Sequence, residues 1–242
     1  MIKIDKRHTV VPNILLTNGL IETTANNTAY LAGTRKFTFH NTIYGHQTVK
    51  EKLIGIQKDK CCFCERKVSA GEPGHIEHYR PKGGYKIDDK TKIIKPGYYW
   101  LAYNFDNLYF SCNRCNTSYK KNYFPLSDET ERATNHTISI ANEDPLIISP
   151  AQNTSTHLVY KREKIKAKGK SIYGRETIKR TGLNRKALST ERLEYLLLLD
   201  TLAKVARGAG LESQEAKDHF KRISKSENVF SYMVVCNYPD LI

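Results

Sequence analysis

Apolar and polar positions alternate on different periods along this chain, and the change of period divides it into three stretches. Residues 1–45 are polar, rich in threonine and asparagine, and carry no sustained apolar period, so no element is predicted there. From His46 to Lys58 the residues Val49, Leu53 and Ile56 recur at helical spacing and predict a short amphipathic helix. A turn follows at Cys61–Cys64, and CERKVSAGEPG then reads as strand and turn. His75–Lys82 reads as extended up to Pro81, and Tyr98–Cys112 is aromatic and apolar apart from Asn104, Asp106 and Asn107. Cys115–Lys121 has the composition of a short helix that stops before Pro125.

The C-terminal half is mainly helical in pattern. It opens on KREKIKAKGK (Lys161–Lys170), with six basic residues and one acidic, where Gly169 marks a turn. A helix ends near Gly182, and Asn184 reads as the N-cap of a second that runs through LEYLLLLDTLAKVAR to Gly208. Leu188, Tyr195, Leu199, Leu202 and Ala206 form its apolar face, and one or two further helices fill Glu212–Tyr238. No internal repeat or low-complexity linker is visible. The divisions that follow are 1–45, 46–130 and 131–242.

Charge adds the first indication of function. The 242 residues carry 39 Lys+Arg against 25 Asp+Glu, a net charge of +14, which favours a polyanionic partner such as nucleic acid. The N-terminus lacks an apolar signal region, and the longest aliphatic run, Leu196–Leu199, is far too short to cross a bilayer. A cytoplasmic location is expected, and there six cysteines act as metal ligands or buried thiols more often than as disulfides.

Four of those cysteines form two C-x2-C turns, Cys61/Cys64 and Cys112/Cys115. Two such turns present four thiolates in the tetrahedral arrangement that zinc accepts, and a closed four-sulfur site is structural. The segment between them, residues 65–111, is longer than in a simple zinc ribbon, so something is inserted there. Cys62 points away from its neighbours, and Cys236 reads as a small buried residue in a helix.

Inside the insertion lie Gly74-His75-Ile76-Glu77-His78-Tyr79-Arg80-Pro81-Lys82 and Asp106-Asn107-Leu108, followed by Cys112-Asn113-Arg114-Cys115-Asn116. The order E-H-x-x-P, D-N-L, C-x-x-C-N resembles the HNH endonuclease signature, with Asn in place of the commoner His at its third position. The resemblance implies an α+β fold: a ββα-metal (His-Me finger) core with a structural four-cysteine zinc site, set in a mainly helical domain. Residues 46–130 would be that core, and 131–242 a basic helical region that packs on it and contacts a partner.

Phosphodiester hydrolysis needs an activated water, and a hard divalent ion held by oxygen ligands stabilises charge on the phosphate and the leaving oxygen. Glu77 and Asn116 supply such donors for Mg²⁺ or Mn²⁺, and His78 is the candidate general base. Asn107 resembles the family asparagine that orients the catalytic histidine through its backbone. Arg80, Lys82, Lys120 and Lys121 are candidate phosphate contacts, and His75 stands between a metal or phosphate contact and a surface histidine. Taken singly, each of these has an ordinary structural role; only their order within the cysteine pairs points to a nuclease.

A longer match narrows the family. CCFCERKV, IEHYRPKGGY, YYWLAYNFDNLYFSCNRCN, KKNYFPL, EDPLIISP and IKRTGLNRKAL together resemble the PtuB-like HNH proteins of Septu anti-phage systems, relatives of which are also retron effectors. The resemblance covers roughly residues 50–200, and Ser149-Pro150 departs from the acidic residue that the family often has before proline. It implies a defence nuclease that acts with a PtuA-like ATPase, and in retrons beside a reverse transcriptase. This chain has no G-x-x-x-x-G-K-[ST], so ATP would be handled by the partner. DNA is the favoured substrate; RNA, including tRNA, and a non-catalytic zinc module binding nucleic acid through KREKIKAKGK are the alternatives.

Overall fold

The computed structural model describes residues 3–242, so the first two residues of the N-terminal stretch lie outside the description that follows. That stretch, unread from its pattern, holds three helices: α1 (Asn13–Leu16), α2 (Asn18–Leu31) and α3 (Asn41–Tyr44). Helix α2 escapes a periodicity reading because apolar burial does not hold it. Leu20, Ile21 and Leu31 are exposed, and only Gly19 and Asn26 are buried. The helix is fastened by rings instead: Tyr30 stacks on Tyr99 at 5.2 Å, and Phe37 stacks on Tyr99 at 4.4 Å.

Helix α4 (Gln47–Gln57) forms where the period predicts it, with Val49 and Leu53 buried and a left-handed C-cap at Lys58. CERKVSAGEPG forms turns in place of the expected strand, tied by a single bridge between Lys60 and Lys67 around buried Val68. Strands β1 (His75–His78) and β2 (Leu108–Ser111) pair antiparallel, Glu77 opposite Tyr109 and His78 opposite Leu108. A seven-residue π-helix, Arg114–Lys120, begins two residues past β2 and carries Cys115 and Asn116.

The basic run folds differently from its reading. Leu158–Lys161 (β3) and Lys164–Ala167 (β4) form an antiparallel hairpin whose turn lies at Arg162-Glu163, with Arg162 left-handed, and the expected turn at Gly169, φ 57°, follows β4. Leu158, Tyr160 and Ile165 alternate inward on the period of a strand, which the lysines between them obscure.

Helices α5 (Ile172–Thr181), α6 (Lys186–Ala206), α7 (Leu211–Ile223) and α8 (Ser231–Asn237) complete the chain. Helix α5 ends at Gly182, whose φ of 60° suits glycine, and a Cβ there would lie 2.4 Å from the Tyr119 ring. Asn184 does not cap α6. Arg185 stands at the N-cap, and the Asn184 amide turns to β4. On α6, Leu188, Leu196, Leu199, Ala203 and Ala206 are buried and Tyr195 and Leu202 half-buried, whereas Leu197 and Leu198 face outward. Cys236 is half-buried in α8.

The fold is thus a mixture of helices and two small sheets in which helix predominates. One apolar core runs from Leu15 and Ile43 through the cysteine turns to Phe220 and Leu241. Among the described residues no helix is long and apolar enough to cross a membrane.

Candidate active site and metal centre

Both cysteine turns meet beneath the β1–β2 pair. Cys62 N–H donates to Phe110 O at 3.0 Å, which sets the first turn against β2. Gln57, at the end of α4, is buried and fixes the same strand. Its Nε2 donates to Lys60 O and Phe110 O at 2.8 and 2.7 Å, and its Oε1 accepts from Phe110 N–H at 2.8 Å.

The result is a cluster of four buried sulfurs, Cys61, Cys64, Cys112 and Cys115, all within 4.8 Å of one another. Cys64 Sγ lies 3.8 Å from Cys112 Sγ, and all four are free thiols. Tetrahedral zinc with Zn–S of about 2.3 Å spaces its sulfurs by about 3.8 Å, so the donor set fits that ion. Burial pushes the Cys61 thiol well up, and four adjacent thiolates would not coexist there without a cation. Cys62 is buried but stands outside the cluster.

Along β1 a cavity of about 380 Å³ opens, lined by His75, Glu77, His78, Lys82, Asn116 and Lys121 among others. His78 is held at both nitrogens. Its Nε2 lies 2.9 Å from Ala102 O, and because a carbonyl only accepts, Nε2 carries the proton and Nδ1 keeps the lone pair. Lys82 Nζ is 3.3 Å from that Nδ1 and donates to it. Burial, with Lys82 and Lys120 adding to it, pushes His78 well below the ordinary imidazole range, so the ring is neutral. The Tyr44 ring, from the N-terminal stretch, packs edge-on against His78 at 4.7 Å.

Asn107 supports this arrangement without touching His78. Its Oδ1 accepts from Arg80 N–H at 2.7 Å, and its Nδ2 donates to Arg80 O at 3.0 Å and Leu101 O at 3.1 Å. One buried amide therefore joins the chain just after His78 to the turn whose next residue, Ala102, accepts from the imidazole.

Glu77 is 2% exposed, and burial raises its carboxyl pKa although Lys120 opposes the rise. Lys120 Nζ lies 2.8 Å from Glu77 Oε1, yet that oxygen has no donor in hydrogen-bond alignment. The ammonium points its protons at His78 O and Tyr79 O instead, at 3.1 and 2.8 Å. A buried carboxylate oxygen with a counter-charge but no aligned donor, beside the half-buried Asn116 amide, is a donor pair suited to a hard cation.

The four basic candidates separate accordingly. Lys82 and Lys121 line the cavity. Lys120 is fully buried beneath Glu77 and cannot meet a phosphate at the surface. Arg80 is committed to Glu143, Nε to Oε2 at 2.8 Å. His75 is exposed at the cavity edge. Sequence reasoning missed Ala102 and the N-terminal wall of Phe39, Asn41 and Tyr44. No local signal marks them, because each acts through a contact made only in the folded chain.

No family model matches this chain. Among curated proteins it is similar to the Septu protein PtuB of Bacillus mycoides (strain KBAB4), with 35% identity over 207 residues that cover 81% of this chain and 68% of that protein.

Proposed function

The chain belongs to the PtuB-like family of Septu anti-phage proteins, and on that premise we propose that it is an HNH nuclease that hydrolyses phosphodiester bonds. DNA is the favoured substrate, and a PtuA-like ATPase is the partner. This reading takes β1, β2 and Arg114–Lys120 as the strands and helix of a ββα-metal finger, pinned by zinc on Cys61, Cys64, Cys112 and Cys115. The observation that carries it is the neutral His78 imidazole, its Nδ1 lone pair turned to a cavity shared with Glu77 and Asn116.

Glu77 and Asn116 would hold Mg²⁺ or Mn²⁺, which when bound supplies charge stabilisation at the phosphate and at the departing oxygen. His78 Nδ1 takes the proton of the attacking water, and the Nε2–H bond to Ala102 O stabilises the imidazolium that forms. Lys82 occupies Nδ1 until substrate arrives. A phosphate in the cavity draws its ammonium away from His78, which frees the base and supplies a contact to the anion. Lys121 supplies a second contact at the cavity mouth. Asn107 holds both ends of the histidine's support, and Lys120 holds the Glu77 side of β1 from below.

The test incubates the protein, alone and with its ATPase partner, with plasmid, single-stranded DNA and total RNA in Mg²⁺ or Mn²⁺. His78→Ala is expected to fold, with a lowered melting temperature because Ala102 O loses its donor, and to lose about 10²–10⁴-fold in cleavage rate. Equal cleavage by that variant overturns the mechanism. Cleavage confined to RNA would move the substrate assignment and leave the chemistry standing.

A further inference from the structure

We propose that Arg185 is the positioning residue of the four-cysteine metal site, and that Leu183-Asn184-Arg185 is a latch joining α6 and the β3–β4 hairpin to that site. The proposal rests on the reading that the four cysteines hold zinc.

Four thiolates around a divalent cation carry a net charge of −2, and here they are buried, where an uncompensated charge is costly. The Arg185 guanidinium lies across them. Its Nη1 is 3.4 Å from Cys115 Sγ, and its Nη2 is 3.8 Å from Cys64 Sγ and 3.9 Å from Cys112 Sγ. One planar fork therefore reaches three of the four sulfurs, drawn from both C-x2-C turns. A lysine ammonium, a single point of charge, has no comparable span.

The two residues before it hold the fork in place. Asn184 Oδ1 accepts from Ile165 N–H at 3.0 Å and its Nδ2 donates to Ile165 O at 2.8 Å, so the side chain takes the place of a neighbouring strand beside β4. Leu183 O accepts from Arg192 Nη1 at 2.6 Å, and Arg192 is a fully buried residue two turns along α6. Arg185 Nη1 also donates to Gly182 O at 3.2 Å, which closes the turn between α5 and α6. The polar contacts of the tripeptide thus lead to β4, to α6, to the sulfurs and to the end of α5. Metal retention and the docking of α6 become linked, since each stabilises the arrangement that the other requires.

The test measures zinc content and the rate of zinc transfer to a chromophoric chelator for the full chain, Arg185→Gln, Arg185→Lys and the surface control Arg207→Gln. Loss of an outer partner of a metal ligand costs about 10–100-fold in metal affinity, so Arg185→Gln should release zinc about tenfold faster or more. Arg185→Lys should fall between it and wild type, and Arg207→Gln should match wild type. Hydrogen exchange over residues 186–192 should quicken in Arg185→Gln, which a role confined to the metal would not produce. Wild-type release rates in both Arg185 variants overturn the latch while leaving the zinc reading intact. If Arg185→Gln does not fold, Arg185→Lys decides alone: release at the wild-type rate overturns the proposal. A folded wild-type protein free of zinc removes the metal reading and the latch together.

Discussion

Lys120 shows how one side chain can hold a site it does not enter. Its ammonium, fully buried, faces Glu77 and two carbonyls of the strand end that carries His78. Removing one member of a buried ion pair leaves the other charge uncompensated, at about 3–5 kcal/mol. Lys120→Met should therefore destabilise the protein by about that amount in urea denaturation. Combining it with Glu77→Gln should recover the part of the loss that comes from the stranded charge, while His78 O and Tyr79 O stay without their donor. Additive losses in the double variant would show that the two residues act independently. The expectation that Lys120 meets phosphate came from its composition and its place beside Lys121, and burial is not written in either.

At the scale of elements, α4 and β2 are joined less by apolar packing than by the Gln57 amide. It satisfies the N–H of Phe110 and the C=O of Lys60, and shares the C=O of Phe110 with the Cys62 N–H. Gln57→Leu keeps the volume roughly and strands two backbone groups, Phe110 N–H and Lys60 C=O, each at about 1–3 kcal/mol. The expected outcome is a fall in stability of several kcal/mol with loss of exchange protection at Phe110; a change within experimental error would mean that water replaces the amide. Helix α4 is legible because Val49 and Leu53 keep its period, whereas no local signal marks Gln57. Helix α2 was illegible for the converse reason: one ring near its end, Tyr30, and not a stripe along it, holds it to Tyr99.

For the molecule as a whole, the charge of +14 gives binding of a polyanion a strong salt dependence. Each phosphate neutralised contributes about −0.9 to the slope of log K against log salt on duplex DNA, so Lys82 and Lys121 alone imply about a tenfold loss of affinity between about 50 and about 200 mM salt. Lys121→Met should reduce that slope by about one unit in fluorescence anisotropy with a duplex. An unchanged slope would mean that the phosphates are met elsewhere, and the lysines of the β3–β4 hairpin would then be the place to look.

Several properties were determined by the sequence alone, because each is local or depends on spacing. Among them are the two cysteine pairs, the ordered Glu77, His78, Asn107 and Asn116, the period of α4 and the stop at Gly182. The tertiary structure decided which of these groups face one another and what holds them. It set Ala102 O behind His78 and Lys82 in front of it. It buried Lys120 under Glu77, engaged Arg80 with Glu143, brought Tyr44 from the N-terminal stretch to the imidazole, and laid Arg185 across the sulfurs. Those partners are contacts between residues far apart along the chain, and they form only when one core closes around the whole of it.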